Sequence, residues 1–322
     1  MQKKAFPMCA VIGCGDWGKN LVRTLSSLNA LGAIVERNES RAQELEAAYG
    51  VPILKFDEVL RDPKIEACFI ATSGATHASL SNELLSAGKH IFIEKPITYT
   101  IQDAKNLYGD AQRLGLYVMA GHLLLYHPVF QKIQEIIQSG SLGDIRLITT
   151  RRQNFGKFFK DESVLWDLGP HDLSMILALL SNQKLILKQT QKSVLYARGE
   201  ITDVIDVALF FEGEVAAHMT LSRMSPIKEQ TLIVTGTKGI LCFDDTNPWA
   251  EKLKFISLDL KQENPHEIPV CLGSEFIHVP QEEPLKQECL AFLMAIKEKK
   301  KPIQFEEAIR VIEVLEQIEN AP

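Results

Sequence analysis

The residues whose types and spacing lend themselves to chemistry fall in three stretches. In Ile91-Phe92-Ile93-Glu94-Lys95-Pro96, three apolar residues of a buried strand run into a charged pair stopped by proline. Ligands of an open parallel sheet bind outside the carboxyl ends of its strands, so Lys95 is a candidate for chemistry. The plainer reading is that Glu94 and Lys95 cap a strand at the surface. In Trp166-Asp167-Leu168-Gly169-Pro170-His171-Asp172, glycine and proline mark a turn entering an apolar helix expected over Leu173 to Leu180. Asp167 and His171 can then face one opening from its first turn. A helix cap explains an aspartate there but gives no reason for His171. The dipole at a helix N-terminus disfavours a charged histidine, and a neutral one can act as a general base.

The third stretch is Gly13-Cys14-Gly15-Asp16-Trp17-Gly18, set between an apolar run over residues 8 to 13 and a helix-spaced run, Leu21, Leu25 and Leu28. Gly-x-Gly-x-x-Gly in this context reads as a dinucleotide turn. It provides a sharp bend, room for a pyrophosphate at the backbone, and close helix-on-strand packing, and the helix N-terminus offers free N–H groups to phosphate. Glu36 ends the second strand, Gly32 to Val35, within the expected interval after the glycines. A carboxylate there accepts ribose hydroxyls and repels a 2′-phosphate, which favours NAD. Arg37 follows, and an arginine at this turn can hold that phosphate, leaving NADP open; as a solvated residue heading the helix Glu39 to Tyr49 it has no such role. Thr72-Ser73-Gly74-Ala75-Thr76-His77 closes a fourth buried run and would lie over the nicotinamide ribose. His77 serves there or only starts a helix.

The elements that must position these groups are legible in outline. At 322 residues the chain exceeds the usual single domain. Hydrophobic residues at 46% and charged residues at 24% are ordinary for a globular protein. A net charge of -6 without a long block of one sign argues against nucleic-acid or anionic-membrane binding. The basic run Lys297 to Lys301 before Pro302 reads as a solvated helix end. No leader or spanning segment is expected. The 6 cysteines show no Cys-x-x-Cys spacing, so neither a metal site nor a disulfide framework is indicated, and the reducing cytoplasm is the expected compartment.

Strand and helix alternate through residue 120, ending on a sixth strand, Leu116 to Ala120, which predicts a mostly parallel sheet with helices on both faces. Beyond it, Ile205 to Phe211 meets Val215 to Leu221 across a glycine turn, and Thr231 to Val234 meets Ile240 to Phe243 across another. The architecture therefore changes to antiparallel sheet. Two amphipathic helices, Leu285 to Lys299 and Phe305 to Ile318, close the chain.

The glycine turn, Ala71-Thr72 with His77, Ala87-Gly88-Lys89-His90 leading into Glu94-Lys95-Pro96, and Gly121-His122 before His127-Pro128 resemble the Gfo/Idh/MocA oxidoreductases, in order over essentially the whole chain. The resemblance implies an α/β Rossmann domain at residues 1–122, followed at 123–322 by an α+β domain with a large open antiparallel sheet for substrate and oligomer contacts. It implies that Lys95, Asp167 and His171 form the catalytic set, with His171 as base, Lys95 positioning the hydroxyl and nicotinamide, and Asp167 orienting His171 or gripping a neighbouring hydroxyl. Cofactor contacts would come from Gly13, Gly15, Asp16, Trp17, Gly18, Glu36, Arg37, Thr72, Ser73, His77, Glu94 and Lys95. Glu94 would face the ribose or only hold Lys95. His122 and Tyr126 would join Lys95, Asp167 and His171 at the substrate, without a metal. Arg151 and Arg152, beside Gln153 and Asn154, either meet phosphates of a nucleotide sugar or are exposed strand residues. The stretch around Gly121-His122 and Tyr126-His127-Pro128 is similar to UDP-N-acetylglucosamine 3-dehydrogenases. The expected reaction is NAD-dependent oxidation of a sugar or nucleotide-sugar alcohol by a homodimer or homotetramer. A free sugar or cyclitol is the alternative substrate. A silent nicotinamide-binding regulator is the alternative of another class, disfavoured because Lys95 and His171 occur together.

Overall fold

The computed structural model describes residues 6–156, 162–194, 201–259, 270–300 and 305–321; Lys301 and Pro302, the end of the basic run, lie outside them. The chain divides into two compact units, residues 1–123 with 283–316, and residues 124–282 with 317–322.

In the first unit, β1 (Cys9–Ile12), β2 (Leu31–Val35), β3 (Ala67–Ile70), β4 (His90–Glu94) and β5 (Val118–Gly121) form a five-stranded parallel sheet in the order β2-β1-β3-β4-β5. Between them run α1 (Gly18–Ser27), α2 (Glu39–Tyr49), α3 (Phe56–Arg61), α4 (His77–Ser86) and α5 (Ile101–Leu114). β1, β3 and β5 are buried at every residue, which is why their sequences run apolar without alternation. The sequence expectation of six strands is corrected to five; the chain around Ile53 makes only an isolated bridge to Ile34, since Pro52 before it lacks a ladder donor. The strand order reverses at β1, so the loops after β1 and β3 flank the crevice where such sheets bind ligands.

The second unit holds α6 (Pro128–Gln138), β6 (Ile145–Phe155), α7 (Val164–Leu179), β7 (Leu185–Ser193), β8 (Val204–Phe211), β9 (Val215–Ser222), β10 (Met224–Gly236), β11 (Gly239–Asp244), β12 (Leu253–Asp259) and β13 (Val270–Phe276). Its eight strands are ordered β13-β12-β11-β10-β6-β9-β8-β7. Both hairpins read from the sequence are present. The sheet is antiparallel except where β6 runs parallel to β9. Buried and exposed residues alternate along β8 and β9, one face against α7 and the other open, which accounts for their period of two.

The helix carrying Asp167 and His171 departs from expectation. α7 starts at Val164, so Gly169 and Pro170 lie inside it. Proline deletes one helical hydrogen bond, yet Leu165, Trp166, Gly169 and Pro170 are all buried, and tertiary burial outweighs the local signal. The last helices are α8 (Pro284–Glu298) and α9 (Phe305–Glu319). Residues 283–316 group with the first unit, not with the second half to which sequence order had assigned them. Phe292 of α8 explains this: its ring meets Phe69 of β3 edge-on at 5.3 Å and Phe92 of β4 at 5.9 Å, while Phe69 and Phe92 stack at 4.8 Å.

Candidate active site

Each glycine of the turn after β1 has its own reason. Gly13 has φ +83, and a Cβ there would lie 2.7 Å from Thr72 Cγ2. A Cβ on Gly18, the first residue of α1, would lie 2.0 Å from the Gly13 carbonyl oxygen. At Gly15 a Cβ would meet nothing within 4 Å, so the turn is bare where phosphate must approach. The turn borders a cavity of about 630 Å³ whose lining includes Gly13, Gly15, Glu36, Arg37, Arg41, Thr72 and Ser73. A bare glycine beside a helix N-terminus, with a carboxylate across the cavity, fits a dinucleotide.

Glu36 is held there by its own surroundings. Its Oε2 accepts from the Cys14 N–H at 2.9 Å and from Arg41 Nη1 at 3.4 Å, and its Oε1 accepts from the Asn38 N–H at 2.8 Å. Burial pushes its pKa up, but the two backbone donors and the Arg41 guanidinium outweigh it and hold the carboxyl below its ordinary value. Arg41, which the sequence reading passed over, lines the cavity with Arg37. It stands four residues after Arg37, which precedes the Asn38 cap of α2, so helical spacing gave no signal for it. The carboxylate suits ribose hydroxyls and the two guanidinium groups suit a 2′-phosphate.

In the loop after β3, the Thr72 and Thr76 hydroxyls are 2.7 Å apart, and the Thr76 hydroxyl donates to the Ser73 carbonyl at 2.8 Å. His77 is buried behind this loop. Its Nδ1 lies 2.8 Å from the Pro96 carbonyl oxygen and its Nε2 3.1 Å from that of Thr72. The ring thus ties the end of β4 to the loop after β3, and His77 is not among the cavity-lining residues. Burial first, and then the Lys95 charge, lower its pKa; the two carbonyls oppose them.

At the end of β4, Lys95 is half-buried and its bond to Pro96 is cis. Glu94 is buried and accepts a hydrogen bond from the Trp17 indole of the glycine turn. Gly121 of β5 is needed beside it, because a Cβ there would lie 3.0 Å from Glu94 Oε2. Asp16 and Trp17 sit in the turn but do not line the cavity. Burial pushes Glu94 from its ordinary 4.5 to about 7, against the Trp17 hydrogen bond and the Lys95 charge. Glu288 of α8, which the sequence did not single out, is fully buried, and neither of its carboxyl oxygens has a hydrogen-bond partner among the described residues. Burial, followed by the Glu94 charge, pushes it well above the carboxylate range.

A carboxyl whose folded-state pKa is raised keeps a proton that the unfolded chain has released. Its stabilising effect is therefore intact below the unfolded value and is lost as pH rises toward the folded one. Glu288→Gln, neutral throughout, is expected to match the parent's melting temperature near pH 4.5 and to exceed it by about 5 °C near pH 8. Equal melting temperatures near pH 8 would count against a penalised carboxylate.

His122 follows β5 and is buried, with Nδ1 unpartnered among the described residues; burial lowers its pKa to about 4. Tyr126, a residue of the second unit, ends the short turn Leu123–Tyr126. The adjacent His127 is taken up by packing: its Nδ1 accepts from the Val129 N–H at 3.2 Å and its Nε2 lies 3.4 Å from Asp245 Oδ1, with Phe243 and Trp249 against the ring.

On α7, Asp167 and His171 lie one turn apart on one helical face, both partly exposed. His171 lies beyond the first turn, so the helix-terminus argument made from the sequence does not reach it. Asp172 is buried in a two-pronged ion pair, with Arg152 Nε 3.1 Å from each carboxyl oxygen and Nη2 3.0 Å from Oδ1. Neither reading of Arg152, as a phosphate ligand or as an exposed strand residue, survives: it is buried, while Arg151 is exposed. Asp167 Oδ2 lies 3.2 Å from Nη2 of Arg223, a residue the sequence reading missed.

Residues 8–122 match the family model for an oxidoreductase family with an NAD-binding Rossmann fold, and residues 130–242 match the GFO/IDH/MocA C-terminal domain. The uncharacterized oxidoreductase YrbE of Bacillus subtilis is 25% identical over 80% of this chain and 79% of its own length. The trans-1,2-dihydrobenzene-1,2-diol dehydrogenase of Sus scrofa is 28% identical over 65% of this chain and 64% of its own, just under two thirds. Among solved structures, the UDP-N-acetylglucosamine 3-dehydrogenase GnnA of Acidithiobacillus ferrooxidans shares the fold with a TM-score of 0.84 at 24% identity, covering 97% of this chain and 96% of that one.

Proposed function

Because the chain belongs to the Gfo/Idh/MocA family of oxidoreductases, we propose that it oxidises a ring secondary alcohol of a nucleotide sugar, with UDP-N-acetylglucosamine as the first candidate. Membership makes it an NAD(P)-dependent dehydrogenase; the proposal concerns its substrate and its catalytic groups. The observation that carries it is Asp167 and His171 on one face of α7, in a chain whose first unit pairs a glycine-turn cavity with a lysine directly after β4. The fold shared with GnnA supports the choice of substrate class.

Bound NAD supplies the hydride acceptor. In our reading, His171 removes the hydroxyl proton as general base. Lys95 donates charge-assisted hydrogen bonds that hold the hydroxyl oxygen. Asp167 orients His171 or accepts from a neighbouring hydroxyl. His122 and Tyr126 contribute to the substrate side. We also propose that a second copy covers the open sheet face in a homodimer or homotetramer. We further propose that the protein resides in the cytoplasm; no helix among the described residues is long and apolar enough to cross a membrane.

A ring diol carrying no nucleotide is the second reading, favoured by the similarity to the dihydrodiol dehydrogenases. Reduced-nicotinamide absorbance, followed with NAD or NADP and a panel of UDP-sugars, free sugars, cyclitols and a dihydrodiol, separates the two. Turnover of a UDP-sugar is expected. Turnover of the dihydrodiol or a free sugar alone selects the second reading, and tight NAD binding without turnover of any alcohol overturns both.

A further inference from the structure

α7 is pinned to the sheet of its own unit by two buried arginines, and the two pins differ in kind. Arg152 engages both oxygens of Asp172, and that carboxylate is wholly buried. Such a pair holds the helix and leaves no surface for a substrate. Arg223 Nη2 lies 3.2 Å from Oδ2 of Asp167, whose side chain remains 22% exposed while the arginine is 1% exposed. One partner is therefore fixed in the interior and the other is presented outward.

Arg223 is held at its backbone and at both terminal guanidinium nitrogens. It stands between β9 and β10, its N–H donates to the Asp203 carbonyl at 3.1 Å, and its own carbonyl accepts from the Gly156 N–H at 3.1 Å. Its guanidinium donates through Nη1 to the Glu162 carbonyl at 2.7 Å and through Nη2 to the Ser163 carbonyl at 3.2 Å. Ser163 is the residue from which α7 starts. One planar fork thus joins the helix start to the carboxylate in its opening turn, a geometry that an ammonium cannot reproduce. A buried cation is stable only with its partners in place, so moving Asp167 away from Arg223 Nη2 gives up a charged contact in the interior.

We propose that Arg223 is a positioning residue that aims the Asp167 carboxylate, and through it the His171 face of α7, at the substrate; this rests on the reading of Asp167 and His171 given above. The fixed Arg223 sets one rotamer for Asp167 before substrate arrives. Turnover is then gained by pre-orientation, without a new group touching the substrate.

A double-mutant cycle tests this with Asp167→Asn, Arg223→Met and the pair, using UDP-N-acetylglucosamine and NAD or the panel alcohol that is turned over, with rates taken per NAD-binding site. Arg223→Met is expected to lower kcat by about ten- to a hundredfold, the scale seen for groups that orient a ligand, with the NAD dissociation constant unchanged. The double variant is expected to be no slower than Asp167→Asn alone, and Arg223→Lys to recover part of kcat. If Arg223→Met does not fold, the cycle runs on Arg223→Lys, with the same sign of coupling expected. Losses that multiply, or a kcat per site unchanged in the Arg223 variant, overturn the proposal while leaving Asp167 catalytic. If Asp167→Asn alone turns over normally, or no panel alcohol is oxidised, the underlying reading falls and takes the proposal with it.

Discussion

Replacing Lys95 with alanine is expected to lower kcat by about a thousandfold, the scale of losing a charged donor from a reacting oxygen, and to change the NAD dissociation constant by no more than about threefold. The reason lies in how β4 ends. Glu94 is buried under the Trp17 indole, and the Pro96 carbonyl is tied through the His77 ring to Thr72, so the backbone on both sides of Lys95 is anchored by groups other than its own side chain. Alanine removes the ammonium and leaves that frame standing. The cavity formed by the glycine turn, Glu36 and Thr72 does not include Lys95, so NAD affinity and turnover should separate. Steady-state kinetics with calorimetric titration of NAD measures both. Undiminished turnover would remove Lys95 from the mechanism, and a parallel collapse of NAD affinity would reassign it to cofactor binding.

The second large effect concerns two glycines given the same substitution. Gly18→Ala drives a methyl to 2.0 Å from the Gly13 carbonyl oxygen and 3.4 Å from Ala71 Cβ. The atom it strikes is backbone, so α1 must move off β1. A destabilisation of about 3 kcal/mol is expected, at the upper end for overpacking, together with loss of detectable NAD binding. Gly15→Ala meets nothing within 4 Å, so its melting temperature should stay within about 2 °C of the parent, since open surface costs little. Its NAD affinity should still fall, by about tenfold or more, because the methyl occupies the side from which the pyrophosphate approaches. Melting curves and NAD titrations of the two variants test the division of labour. Equal destabilisation, or full NAD affinity in Gly15→Ala, would contradict it.

What the sequence could reveal followed the range of the interactions concerned. The parallel sheet was legible because strands covered on both faces must be apolar throughout, and the glycine turn because its constraints lie within Gly13 to Gly18. Glu36 was legible by its interval from that turn. Arg41, Glu288 and Arg223 were not. Glu288 and Arg223 take their meaning from groups distant in sequence, Glu288 from Glu94 across a core and Arg223 from Asp167 across a sheet-to-helix contact. Arg41 lies only five residues from Glu36, but its contact depends on how the chain turns from β2 into α2. The start of α7 was misplaced because glycine and proline are local signals, and the burial of Leu165 and Trp166 that overrides them is not local.

The grouping of residues 283–316 with the first unit has a consequence for synthesis. The second unit is threaded into the first, between β5 and α8. A ribosome delivers all five strands of the Rossmann sheet, and then residues 124–282, before the helix that covers Phe69 and Phe92 exists. Until then the nascent sheet carries an aromatic patch with no lid, a surface that attracts chaperones and neighbouring chains. The nucleotide-binding unit, although its strands are made before those of the second unit, is thus completed only after them.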